Sequence, residues 1–111
     1  MNLNELLIQS WALLEKATID KKSPLRLGTV GTQNEGSVNL RMVVLREVRP
    51  EKLIFYTDFR SPKIGELQKN NAITWLFYDA TQQIQLRLYG TAKLLHNSSA
   101  CLAIWNNLPD F

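Results

Sequence analysis

The chemistry in this sequence gathers in FYTDFRSPKIGEL, residues 55–67. Arg60, Ser61 and Lys63 put two cations and a hydroxyl where a strand end runs into what reads as a helix. Ser61 is a good N-cap, and Pro62 suits the first helical position. A helix start carries unpaired backbone N–H groups and the positive end of the helix dipole, so added cations there suit an anion. Two readings of the junction stand at this point. It is a phosphate site, or it is a routine Ser-Pro helix start with solvated cations beside it.

The charge distribution bears on that choice. The net charge is +3, with 13 Lys and Arg against 10 Asp and Glu. Residues 41–69 hold seven cations (Arg41, Arg46, Arg49, Lys52, Arg60, Lys63, Lys69) and four acids (Glu47, Glu51, Asp58, Glu66), so the whole excess lies in that segment. A local surplus of this size fits a phosphate-bearing small molecule better than a long nucleic acid, which needs a broader basic face.

Composition excludes other chemistry. With Cys101 alone there is no internal disulfide and no thiolate metal cluster, and with His96 alone a zinc or triad enzyme is not expected. No residue is assigned a catalytic role and none a metal. A lone cysteine suits a reducing cytoplasm. No apolar run approaches the roughly 20 residues of a membrane span. The first residues, with Glu5 and no basic leader, read as a helix and not as a signal peptide. At 111 residues, 45% apolar and 21% charged, the chain reads as one globular domain, residues 1–111.

The elements that must position these residues follow from periodicity. Leu3, Leu6, Leu7, Trp11, Leu13 and Leu14 predict an amphipathic helix over 3–17. Strands are predicted at LRLGTVGT (25–32) and SVNLRMVVLREV (37–48), joined by an Asn34-Glu35-Gly36 turn. A loop from Glu47 to Glu51 leads to a strand at KLIFYT (52–57), then a short helix over 62–70. AITWLFYD (72–79) and QIQLRLYGTAKLL (83–95) are two more strands, and SSACLAIWNNL (98–108) is expected to be a last helix. In the strand at 83–90, Ile84, Leu86 and Leu88 face one way and Gln83, Gln85, Arg87 and Tyr89 the other. Five strands with short helices predict a mainly β (α+β) fold, a small antiparallel barrel with helical decorations. Trp11, Trp75 and Trp105 are expected in the core or an interface, Cys101 as a small buried hydrophobe, and His96 at the surface.

If strands 38–46 and 52–57 form a hairpin with Arg46 opposite Lys52, Arg41 falls opposite Thr57 and within reach of Ser61 and Lys63. An Arg fork would then join the phosphate site.

Three motifs, in order, carry a resemblance: RMVVLR (41–46), FYTDFRSPK (55–63), and Gln85 standing five residues before Gly90 of LYGTAKLL. Over about residues 25–95 the chain resembles the pyridoxamine 5′-phosphate oxidase family, flavoproteins of the FMN-binding split-barrel fold. The resemblance implies FMN as cofactor, with Arg41, Met42, Val43, Val44, Leu45 and Arg46 lining the flavin and Arg41 on its phosphate. It implies contacts of Tyr56 and Thr57 with the flavin and of Ser61 and Lys63 with the phosphate. Gln85 would reach FMN from the second subunit of a homodimer. The chain departs from the oxidases at Pro62, where they have a second phosphate-binding Arg, and at Arg46, where they have a Lys near the substrate. LAIWNNLPD (102–110) does not match their substrate-phosphate Tyr and Arg, and their C-terminal motifs have no counterpart before Phe111. The expectation is an FMN flavoprotein, an oxidoreductase of unassigned small-molecule substrate, in a smaller relative or a piece of a longer protein. The alternative is a nucleic-acid or anion-binding barrel using Phe55, Tyr56 and Phe59 as stacking surfaces, and a third is a barrel without cofactor serving in assembly.

Overall fold

The computed structural model describes residues 2–57, 62–95 and 101–110, and the side chains of 2–57 and 64–95. Its elements are α1 (Leu3–Ile19), a 3-10 turn (Pro24–Arg26), β1 (Leu27–Asn34), β2 (Ser37–Val44), β3 (Glu47–Arg49), β4 (Lys52–Tyr56), α2 (Pro62–Lys69), β5 (Ala72–Asp79), β6 (Ile84–Leu94) and β7 (Cys101–Asp110). No helix among the described residues is long and apolar enough to cross a membrane.

Asn2 caps α1 by accepting from the Glu5 N–H at 2.9 Å, and Glu5 accepts in return from the Asn2 amide at 3.2 Å. The reciprocal pair satisfies a donor that a helix start leaves unpaired. The helix buries Leu14 and Ala17 in the core, with Trp11 and Leu13 partly buried against it.

All seven strands form one antiparallel sheet in the order β2-β1-β5-β6-β7-β4-β3. The order itself shows that the sheet is curled. β2 ends at Val44 and β3 begins at Glu47, yet they occupy opposite edges. In a flat sheet those edges would be about 30 Å apart at the usual strand spacing. The linking residues span only about 10 Å. The edges must therefore meet, and consecutive residues carry the chain from one to the other: Leu45 N–H donates to Arg26 C=O beside β1 at 2.8 Å, and Arg46 N–H donates to Ile54 C=O of β4 at 2.9 Å. This is the split-barrel architecture that the sequence predicts.

Inside the barrel, Trp75 meets Phe55 edge-on (centroids 5.2 Å apart, 83°) and stacks on Phe77 (5.0 Å, 23°). Gly28 makes room for that indole, since a Cβ there would lie 2.0 Å from Trp75 Nε1. Val30, Leu45, Leu53, Leu86 and Leu88 fill the space around them. Fully burying one such side chain contributes about 1.5–3 kcal/mol.

Two tight turns fix the local registers. Glu35 and Gly36 both have positive φ (48° and 85°), the type I′ geometry that matches the strand twist, and Asn34 pairs with Ser37 across it. Pro50 and Glu51 (φ 59°) turn β3 into β4 with Arg49 opposite Lys52, as a type II turn requires.

Three expectations are corrected here. The segment 47–51 is a strand and a two-residue turn, not a loop. Among the described residues the sheet has seven strands and not five. Residues 101–110 form a strand and not a helix: β7 lies between β4 and β6, with Ile104 opposite both Leu53 and Ala92. A short apolar run does not distinguish helix from strand by periodicity. Two open ladder edges needing backbone partners decide it. His96 lies outside the described residues, as do the side chains of Cys101 and Trp105. Trp75 is in the core and Trp11 packs against it, as expected.

Candidate functional site

On β2 the burial alternates: Asn39, Arg41 and Val43 point toward the barrel interior and Val38, Leu40 and Met42 away from it. An arginine on the inner face needs a partner or a route to solvent. Arg41 has both, because it stands near the barrel end covered by α2. Its Nη2 approaches Glu66 Oε2 at 3.5 Å, and a quarter of its side chain remains accessible. Among the described residues its guanidinium meets no other partner, so most of its fork is available to a ligand.

The expected route to this position is wrong, although α2 is reached. Arg41 pairs with Val30 of β1 and not with Thr57, and Arg49, not Arg46, faces Lys52. The Pro50–Glu51 turn fixes the second hairpin, and the chain changes edges at Leu45–Arg46, so a continuous 38–46 strand cannot pair with β4. Arg41 reaches α2 across the barrel mouth instead.

Glu66 was not singled out by the sequence. It is 7% exposed and accepts from Thr32 Oγ1 at 2.7 Å and from Asn39 Nδ2. One carboxylate thus ties α2 to β1 and β2 at the place where Arg41 emerges. Helical spacing gave no signal for it, since positions two after Ile64 and one before Leu67 do not share the face of that buried pair. Lys63 stands one turn ahead of Glu66 in α2. Its side chain, together with Arg60 and Ser61, lies outside the described residues.

The other candidates divide by face. Val43 and Leu45 are buried in the core, so toward any ligand they can offer only backbone. Val44 is half-buried, Met42 exposed, and Thr57 follows β4 half-buried. Arg46 and Tyr56 lie outside the barrel, with the guanidinium carbon 6.0 Å from the ring centroid. Tyr56 donates to Glu47 Oε2 at 2.9 Å, and Arg49 donates to Glu47 Oε1 at 3.0 Å. These two hydrogen bonds, the tyrosine's first, hold the Glu47 carboxyl below its ordinary value. Phe55 is fully buried, which removes it as a stacking surface for nucleic-acid bases.

Gln85 is exposed on the outward face of β6, as the alternation predicts, paired with Tyr78. Arg41 and Gln85 are on opposite faces of the sheet, with β1 and β5 between their strands. One copy of the chain does not bring them to one ligand. The outward face is more apolar than expected. Val38, Leu40 and Met42 are each more than 60% exposed. Val38, Leu40, Leu76, Arg87 and Tyr89 line a groove of about 480 Å³ around Gly31.

Comparison with known proteins fits this geometry. A sequence profile described as pyridoxamine 5′-phosphate oxidase, FMN-binding domain, matches residues 5–96. The chain belongs to that family. Among its relatives, the pyridoxine/pyridoxamine 5′-phosphate oxidase of Bartonella henselae is 31% identical over 81 residues, which are 72% of this chain and 39% of that protein. The chain spans about two fifths of the length of the first curated oxidases it matches. A crystal structure from Listeria innocua superposes with TM-score 0.78 at 15% identity, covering 95% of this chain and 96% of that one. A pyridoxamine 5′-phosphate oxidase-related, FMN-binding protein of Nostoc punctiforme gives TM-score 0.66 at 22% identity, over 82% of this chain and 46% of that one. These likenesses establish the split-barrel fold.

The residues present fit the cofactor of the pyridoxamine 5′-phosphate oxidase family. FMN needs a cation and N–H donors for its phosphate, and backbone or apolar contact for its ring. Arg41 with most of its fork unpaired, beside α2, suits the first need. The run Met42–Leu45, whose inner side chains are already committed to the core, suits the second.

Proposed function

We propose that this chain is an FMN-binding flavoprotein that works as a homodimer and carries out oxidoreductase chemistry on a small molecule. The observation that carries the reading is Arg41, an inward-facing arginine at the α2 end of the barrel with a single weak partner among the described residues. Arg41 and Lys63 would hold the phosphate with Ser61. The backbone of Met42–Leu45 would run along the flavin, with Arg46, Tyr56 and Thr57 at its edge. Gln85 would come from the second copy, a reading that the opposite facing of Arg41 and Gln85 supports, and the outward stripe of Val38, Leu40 and Met42 would give that copy an apolar surface to cover. FMN when bound supplies the electron transfer, and the chain supplies binding, orientation and exclusion of water. The lone Cys101 agrees with a reducing cytoplasmic setting.

The test is to incubate the purified protein with FMN, remove free flavin by gel filtration, and read absorbance and light scattering on the same peak. One FMN per chain on a particle of two chains is expected. A colourless protein contradicts the flavoprotein reading, and a monomer that keeps FMN contradicts the role of Gln85.

A further inference from the structure

We infer that Glu66 is the resident counter-ion of Arg41 and limits how tightly this end of the barrel holds a phosphate, because the anion must displace the carboxylate from the guanidinium. The inference rests on the reading of Arg41 as a phosphate ligand and adds to it the residue that sets its strength.

The two partners of the pair are unequally fixed. Glu66 is buried and has its oxygens engaged by Thr32 Oγ1 at 2.7 Å and by Asn39 Nδ2, donors from two different strands. It is satisfied without Arg41 and cannot follow it. Arg41 touches Glu66 through one nitrogen at 3.5 Å, at the outer limit of a hydrogen bond, and a quarter of its side chain is accessible. The guanidinium can therefore leave at small cost, while the carboxylate stays.

Two consequences follow for an incoming phosphate. In the resting site the arginine's charge is compensated, which spares the barrel an unpaired inward-facing cation. Once phosphate arrives, a fixed carboxylate remains close to a second anion, in surroundings less polarisable than water, and weakens its binding. Riboflavin has no phosphate and does not meet this repulsion.

Glu66→Gln tests the inference. The glutamine keeps the side chain's shape, and both the Thr32 hydroxyl and the Asn39 amide can reverse their roles to accept from it. Affinities for FMN and riboflavin are measured by flavin fluorescence on native protein and variant. The expected result is FMN tighter by about tenfold, riboflavin unchanged, and a steeper loss of FMN affinity with salt. FMN binding that is unchanged or weaker overturns the inference. An equal gain for riboflavin also overturns it, since packing and not charge would be the cause. Equal affinities of the native protein for both flavins would instead remove the phosphate reading beneath it. If the variant does not fold, a crystal structure of the native FMN complex decides. Separation of Arg41 from Glu66 beyond about 4 Å supports the exchange, and a retained contact overturns it.

Discussion

Two clusters in this molecule are built from the same parts, an arginine, a glutamate and a hydroxyl. At the α2 end they are Arg41, Glu66 and Thr32. Outside the barrel they are Arg49, Glu47 and Tyr56. The outer ion pair is shorter, 3.0 Å against 3.5 Å, yet its side chains are 55% and 40% exposed where the inner pair is 25% and 7%. Distance alone would rank the outer pair higher. The Arg41 contact stays the weaker of the two, but burial favours the inner cluster's other bonds, because water competes for every group in the outer cluster and for little of Glu66. The inner cluster fixes a helix against two strands and presents a cation, while the outer one decorates a turn.

The largest separation between the clusters is expected on removing their hydroxyls. Thr32→Val keeps a β-branched side chain on β1 and deletes the 2.7 Å donor to a buried carboxylate. It should destabilise the fold by about 1.5–3 kcal/mol in urea denaturation. A loss below about 0.5 kcal/mol would show that Glu66 is satisfied otherwise, and the contrast would collapse.

Tyr56→Phe should cost under about 1 kcal/mol at neutral pH, since the donor and its acceptor are both well exposed. Its pH dependence sharpens the point. Glu47 is held below its ordinary value by Tyr56 and then by Arg49, so the folded chain binds fewer protons there than the unfolded one. That contribution is present above the ordinary carboxylate value and is lost as pH falls through the lowered folded value. The difference between Tyr56→Phe and native protein should therefore shrink on acidification. A difference that grows toward acid would mean the tyrosine acts through something other than Glu47.

Much of the fold was legible in the sequence because local chemistry and tertiary need agree. The Asn34-Glu35-Gly36 turn, the alternation of Ile84, Leu86 and Leu88, and the start of α2 at Pro62 all follow from single-residue preferences. CLAIW failed for the opposite reason. One of its partners, β4, comes from a distant stretch, and nothing within the run records that two open edges await it. The site shows the same division. Arg41 was found because a cation-rich segment and a motif drew attention to it, but its position rests on β1, through the register that the Glu35–Gly36 turn sets. Thr32 and Asn39 face each other across one hairpin, but Glu66 is distant in sequence and only the packing of α2 on the barrel brings it to them. The apolar outward stripe on β2 was hidden because VNLRM alternates in the ordinary way, which would turn Val38, Leu40 and Met42 inward, whereas here Asn39 and Arg41 face inward to meet Glu66.

Arg41 is the cation proposed to read phosphate. The direct measurement is the ratio of FMN to riboflavin affinity in native protein, Arg41→Ala and Arg49→Ala, by fluorescence titration under one buffer. A charge-assisted hydrogen bond contributes about 1.5–3 kcal/mol, so Arg41→Ala should lower FMN affinity roughly tenfold to a hundredfold. Riboflavin affinity should be unchanged, and Arg49→Ala should keep the native ratio. An unchanged ratio in Arg41→Ala, or an equal fall in Arg49→Ala, would contradict the assignment of the phosphate to the α2 end of the barrel.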